Sequence, residues 1–330
     1  MARLSAKWQK LLDAEPLQRS SQVVSVVGQH AYVFGGELRP REPRDNHVHV
    51  IALGEAPSLS STLATSQSPS ARVGTASATL NGKIYLFSGR GGVAMAPIEE
   101  RGSVWEFDPA LGAWSLLDSH SEAFPAARSY HCMTSDGSDT LYLHAGCPEK
   151  GRLADLWAFS LSRKQWTELA PAVDPPRGGT SITFVKGKLY RMNGFDGKTE
   201  QGGSVDIYCP VTNSWISHAF PPDGKAGPTP RSVSVLVPVV QDGRDILLTM
   251  FGERDPSSLG HQGAGKMLDD VWAFDIENKT WAEVDAQGDE SPVARGWFDA
   301  DVAGTNTVVV HGGLGESNNR LGDIWKLELV

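Results

Sequence analysis

Residues 128–166, RSYHCMTSDGSDTLYLHAGCPEKGRLADLWAFSLSRKQW, hold one complete copy of a unit that the chain repeats. An arginine opens a run of small residues, "LYLHAG" is a β-prone run closed by glycine, and "DLWAFS" is a second such run. Trp166 stands six residues past its end. The arginine recurs as Arg19, Arg72, Arg128, Arg177, Arg231 and Arg295, at steps of 53, 56, 49, 54 and 64 residues. Each copy goes on to a strand-like run ending in glycine: "AYVFGG", "IYLFSG", "LYLHAG", "LYRMNG", "LLTMFG" and "TVVVHGG". Then comes "SVWEFD", "DLWAFS", "VDIYC", "DVWAFD" or "DIWKLE", and four copies add a tryptophan at Trp114, Trp166, Trp215 or Trp281. A period near 50 residues marks an array of supersecondary units. One four-stranded unit cannot bury both of its faces, so six of them are expected to stack radially around a channel.

The order arginine, glycine turn, aromatic strand, tryptophan is the Kelch pattern. The expected fold class is therefore all-β, a six-bladed Kelch-type β-propeller forming a single domain. Its blades fall at about 16–65, 66–122, 123–173, 174–224, 225–289 and 290–330, the last completed by residues 5–14. The sixth unit lacks a tryptophan strand, whereas Trp8 has no unit of its own. The N-terminal strand is thus expected to complete the last blade and remove the open edges of the ring. The first unit runs into a Ser/Thr/Pro-rich stretch without its tryptophan and is expected to lose its regular outer strand or to fray there.

Composition narrows the function. The 35 glycines and 20 prolines among 330 residues suit many short strands and turns. A net charge of −9, with no basic block, argues against nucleic acid and anionic membranes as partners. "MARLSAKWQK" has no apolar signal core, and no long apolar run follows it. Three cysteines without C-x-x-C spacing fit a reducing, cytoplasmic setting. A monomer or homodimer is expected.

What all copies share builds the scaffold, and what differs between them is free to act. The residue after each strand-end glycine is Glu37, Arg90, Cys147, Phe195, Glu253 and Leu314. Equivalent positions in a propeller lie on one face, so this varied ring is expected to wall a pocket at the channel mouth. The loops after these turns are long in units one, two and five, as binding loops on a rigid scaffold are. The fifth runs "GERDPSSLGH" and holds Glu253, Asp255 and His261. Two carboxylates and an imidazole suit Fe(II), Mn(II) or Zn(II). The same residues also suit a polar substrate clamp, or a turn in which Asp255 caps Pro-Ser-Ser. The recurring arginines are mainly scaffold, although Arg231 and its equivalents also suit an anion at the mouth.

With these motifs in place, the chain resembles the plant specifier proteins of glucosinolate breakdown, which form nitriles, epithionitriles and thiocyanates. "VFGGELRP", "ARSYHCMTSD", "GRLADLW", "PRGGTSITFVKGKLY", "GHQGAG", "ARGWFDA" and "VVHGG" carry the likeness through nearly the whole length. The resemblance implies a small-molecule substrate and Fe(II) held by a glutamate, a midway aspartate and a histidine. Glu253 and His261 match that set, but the midway position is Ser257 and the nearest acid is Asp255. It also implies pocket roles for Arg90, Tyr130, Arg152 and Trp297.

Related fungal propellers resemble metal-free cyclases. With Ser257 at the middle position, the first expectation is a lyase- or isomerase-type enzyme of secondary metabolism that directs a reactive intermediate without a cofactor. Rearrangement or cyclisation of the pericyclase type is the reaction expected. Glu253, His261, Arg90 and Arg152 would be its catalytic groups, and Glu37, Tyr130, Cys147, Phe195, Arg231, Trp297 and Leu314 would contact substrate. The alternatives are an Fe(II)-dependent specifier-like protein and a non-catalytic Kelch module that holds acidic peptides on its arginines. A copper oxidase is excluded for want of a Cys–Tyr and two-histidine set.

Overall fold

The computed structural model describes residues 4–62, 67–173 and 175–330, the His261 side chain apart. Six antiparallel sheets stand around one axis. Their first strands are Ser20–Val27, Ala76–Leu80, Cys132–Ser135, Ser181–Val185, Val235–Gln241 and Asp299–Ala303, and they touch in a closed cycle, the last against the first. In blade three, strands Cys132–Ser135, Thr140–Gly146, Leu153–Ser160 and Gln165–Leu169 follow in spatial order. The tryptophans sit at one register of the outer hairpin: Trp114 opposite Phe107, Trp166 opposite Phe159, Trp215 opposite Tyr208 and Trp281 opposite Phe274. Each of the six seams between neighbouring blades holds its own apolar core.

The ends of the chain meet in blade six. Ser5–Asp13 pairs antiparallel with Asp323–Leu329, placing Trp8 opposite Leu327 and stacked 5.8 Å from Phe251 of blade five. The unclaimed tryptophan therefore fills the position its equivalents fill elsewhere. Asp285–Gln287 adds a short parallel strand outside it. The expected loss of blade one's outer strand is overturned: Leu59–Thr62 pairs with Val48–Ala52, with Leu59 opposite Ile51. Backbone groups make the ladder, so the strand forms without its tryptophan.

The repeated arginines explain themselves once folded. All six are buried, between 0% and 5% exposed. Each donates from Nη1 to the carbonyl just before its strand-end glycine: Gly35, Ser88, Ala145, Asn193, Phe251 and Gly312. Five also hold a carboxylate with two nitrogens: Asp45, Glu100, Asp155, Asp270 and Asp323. The indoles of Trp105, Trp157, Trp272 and Trp325 donate to four of those acids. In blade four Ser204 stands where Asp155 stands in blade three. Among the described residues no carboxylate pairs with Arg177 there, and burial lowers its pKa to about 10. A bank of free arginines for acidic peptides, Arg231 included, does not exist in this fold.

Two closed rings of backbone hydrogen bonds tie the blades together. In the first, each strand-end glycine donates to the arginine carbonyl of the next blade: Gly36 to Arg72, Gly89 to Arg128, Gly146 to Arg177, Gly194 to Arg231, Gly252 to Arg295 and Gly313 to Arg19. These glycines cannot be replaced freely. A Cβ on Gly146 would lie 2.7 Å from the His131 Cβ, and φ there is +100°. In the second ring, the residue two past each arginine donates to its counterpart in the preceding blade: Ser21 to Trp297, Gly74 to Ser21, Tyr130 to Gly74, Gly179 to Tyr130, Val233 to Gly179 and Trp297 to Val233. All six have φ between +48° and +62°.

The seam where the ring closes carries two carboxyls. Asp299 and Asp301 accept the Val24 and Val26 N–H groups at 2.7 Å, covering blade one's inner edge. Burial raises their pKa values to about 7 and about 6. Folded pKa values above the unfolded ones mean that the stability these groups add is complete below about pH 4 and lost as pH rises through 6 to 7. In urea titrations the midpoint should fall between pH 4.5 and 7.5. An Asp299→Asn/Asp301→Asn double variant, which keeps acceptor oxygens, should flatten that fall, and an equal slope in both proteins would refute the assignment. Among the described residues, no helix is long and apolar enough to cross a membrane.

Candidate active site at the channel mouth

The strand-end turns bring five of the six varied positions together. Glu37, Arg90, Cys147, Phe195 and Glu253 line a cavity of about 350 Å³ at the channel mouth, and Tyr130, Arg152, Ser257 and Trp297 line it with them. Leu314 does not. It is 5% exposed, its strand Leu314–Gly315 pairs with Arg295–Gly296, and a bridge to Arg320 covers it. Arg231 is also absent from the wall, because its guanidinium is spent on Asp270 and on the Phe251 carbonyl. A second cavity, of about 390 Å³, is the central channel between the inner strands.

Tyr130 and Trp297 separate these two spaces. Blades three and six lie opposite one another, yet the two rings meet edge to face with centroids 5.2 Å apart. Both side chains must therefore reach across the axis, and both line the mouth cavity and the channel. Tyr130 passes over Gly74, where an added Cβ would lie 2.9 Å from its ring.

The polar groups divide into held and available. Arg90 donates to the Ser129 hydroxyl and to the Met95 and Pro148 carbonyls, each at 3.1 Å, so its position is fixed. Arg152 lies 5.1 Å over the Phe195 ring, and its buried Nε has no hydrogen-bond partner. Among the described residues it makes no ion pair. Glu37 is tied to Arg320 at 3.0 Å and to the Arg41 N–H at 2.7 Å, and burial raises its pKa. Glu253 is 5% exposed and accepts the Gly265 N–H at 2.7 Å. Burial raises its pKa, against the Gly265 N–H and the Trp297 side chain beside it. Burial likewise raises the Cys147 thiol, leaving it a neutral wall group.

Glu200 is the residue that the repeat pattern missed. It lines the cavity, and one of its oxygens is buried without a partner. Burial, with Glu253 and Asp255 nearby, raises its pKa to about 7. It lies five residues past the turn position Phe195, and a Phe195–Glu200 bridge folds it back to the mouth. An acid in the loop after a wall position was the available signal.

Of the iron ligands that the resemblance implies, Glu253 lines the cavity, whereas Asp255, the acid nearest the middle position, does not. Asp255 is outside the cavity, exposed, and its carboxylate meets Arg254 at 3.2 Å. Its φ is +51°, and the next residues, Pro256 and Ser257, line the wall. Ser257 faces the cavity at the middle position. His261 lies in the short turn Gly260–Gln262, and its side chain is outside the described residues. Asp45, His47 and His49 place three donor atoms within 4.8 Å of one another elsewhere, a group able to hold a metal ion. Arg19 already binds Asp45 and approaches His49 at 2.8 Å, so a cation there would have to displace a guanidinium.

Comparison with known proteins fits this geometry. Residues 21–252 match the KLHDC2/KLHL20/DRC7 Kelch-repeats domain. The chain is 29% identical to the N-(sulfonatooxy)prop-2-enimidothioate sulfolyase of Thlaspi arvense, an alignment covering 98% of both proteins. It is also 29% identical to Adagio-like protein 3 of Oryza sativa subsp. japonica, but covers 49% of that longer protein. Among solved structures, YjhT superposes with a TM-score of 0.72 at 15% identity over 95% of each chain, a likeness of fold.

Proposed function

Because this chain belongs to the Kelch-repeat family, and its blades gather one polar cavity at the mouth, we propose that it is a lyase-type enzyme acting there on a small reactive anion. The observation that carries this reading is the cavity's composition. Arg152, which makes no ion pair among the described residues, and the fixed Arg90 share the cavity with Glu37, Glu149, Glu200 and Glu253, and burial holds back the ionisation of Glu37, Glu200 and Glu253. Burial favours the neutral form of these acids, which leaves the guanidiniums to attract an anion. End-to-end similarity to a sulfolyase supports an N-sulfonatooxy imidothioate as the class of substrate. In such a molecule the N–O bond breaks and its electron pair leaves with sulfate, while a bond pair at the imidothioate carbon shifts toward nitrogen. That pair is either the carbon–sulfur pair, releasing zero-valent sulfur and a nitrile, or the carbon–carbon pair, as the side chain migrates to nitrogen or sulfur. Arg152 and Arg90 would stabilise the charge that grows on the departing oxygen. Tyr130, Trp297 and Phe195 would hold the remaining fragment away from water.

The sequence placed metal-independent cyclisation first. Similarity to the sulfolyase over the full length of both chains favours lyase chemistry instead. No step is assigned to iron, since Ser257 stands at the middle ligand position. The test is to release an alkenyl N-sulfonatooxy imidothioate in the presence of the protein and resolve the products by gas chromatography and mass spectrometry. A product distribution different from that of unassisted decay is expected. An unchanged distribution, with and without added Fe(II), would defeat the reading.

A further inference from the structure

Four residues of the second backbone ring, Tyr130, Gly179, Val233 and Trp297, line the floor of the mouth cavity, and Ser21 and Gly74 complete the ring on the channel side. All have left-handed backbone. Glycine takes that conformation freely, whereas a β-branched residue is strained in it by roughly 1–3 kcal/mol. Val233, at φ +48°, is therefore the costliest choice in the ring for its size. The ring's hydrogen bonds hold it there, from the Val233 N–H to Gly179 at 2.9 Å and from the Trp297 N–H to Val233 at 3.2 Å. Nothing in the ring needs valine, because Gly179 serves the same backbone role one blade away.

The side chains divide the floor in two. Tyr130 and Trp297 roof one half from opposite blades. The other half has only Gly179 and Val233, which with Tyr130 and Trp297 line both the mouth cavity and the channel. A Cβ on Gly179 would meet the Val233 Cγ1 at 2.8 Å, so the valine methyl already occupies the space above that glycine. Gly179 and Val233 thus stand between the two cavities on that side, and the valine is the larger side chain of the pair.

We propose that Val233 is a specificity-determining residue, the stop that limits the length of apolar tail a bound anion can carry. The inference rests on the anion reading of the mouth cavity. With the head group at Arg152 and Arg90, a short tail ends on the floor, and a longer one meets Val233 before it can enter the channel. Glycine at this position opens the way and also relieves backbone strain, so the variant folds at least as well as the wild type.

The probes are straight-chain alkyl sulfates from ethyl to octyl, titrated calorimetrically into the wild type and Val233→Gly, with thermal melts of both. Octyl sulfate should bind Val233→Gly at least about tenfold tighter than wild type, since several methylenes gain burial. Butyl sulfate should change less than about twofold, and the melting temperature should not fall. An unchanged octyl affinity, or an equal shift for all chain lengths, would overturn the proposal while leaving the anion cavity intact. If neither protein binds any alkyl sulfate, the anion reading fails together with the proposal.

Discussion

Replacing Arg295 with alanine is expected to destabilise the protein by about 3–5 kcal/mol, the usual effect of breaking a buried ion pair by removing one partner. In a thermal melt that is a loss of about 4–7 °C. Arg295 is 0% exposed, and its two Nη groups hold Asp323 at 2.7 and 2.8 Å. It also donates to the Gly312 and Val293 carbonyls and lies over the Phe251 ring. Burial alone would raise the Asp323 pKa, yet Arg295 and the Trp325 indole leave it below the ordinary value. Without the guanidinium, that carboxylate is left with the Trp325 indole, and the Gly312 carbonyl loses its donor in the interior. Arg295→Lys should recover only part of the loss, because an ammonium cannot make the paired contact. A change under 1 kcal/mol in Arg295→Ala would show that the repeated arginine is not a structural tie.

That result bears on why the fold was legible and the site only partly so. The scaffold is written six times, so chance agreement in any one copy matters little. Arginine, glycine and tryptophan each mark a contact that every blade must make. The position of Trp8 followed from the same arithmetic, since one copy lacked a tryptophan strand and one strand lacked a copy. The outer strand of blade one was misjudged because its marker residue is missing while its backbone pairing is intact.

The site is written once, and repetition gives no help there. Glu37, Arg90, Cys147, Phe195 and Glu253 were found because each occupies a position that the repeat defines. Leu314 holds the same position, but its own loop folds over it. Glu200 lies outside the repeated frame and reaches the cavity only through a local bridge. Asp255 was considered a stand-in for the residue replaced by Ser257, yet it is exposed and pairs with Arg254 while Pro256 and Ser257 line the wall. Which side chain of a short loop faces a cavity is not fixed by residue type.

The central claim is that sulfate departs in the mouth cavity with guanidinium help. Arg152 tests it best, because it faces the cavity over Phe195 and makes no ion pair with the described residues that the fold would miss. Removing one preorganised donor to a developing charge lowers turnover by about 10²–10³-fold. The decisive measurement is the rate of sulfate release from an alkenyl N-sulfonatooxy imidothioate, corrected for spontaneous decay, for wild type and Arg152→Ala of matched thermal stability. The account predicts a loss of that size in kcat/KM. A variant within about threefold of wild type would contradict it and place the chemistry away from this cavity.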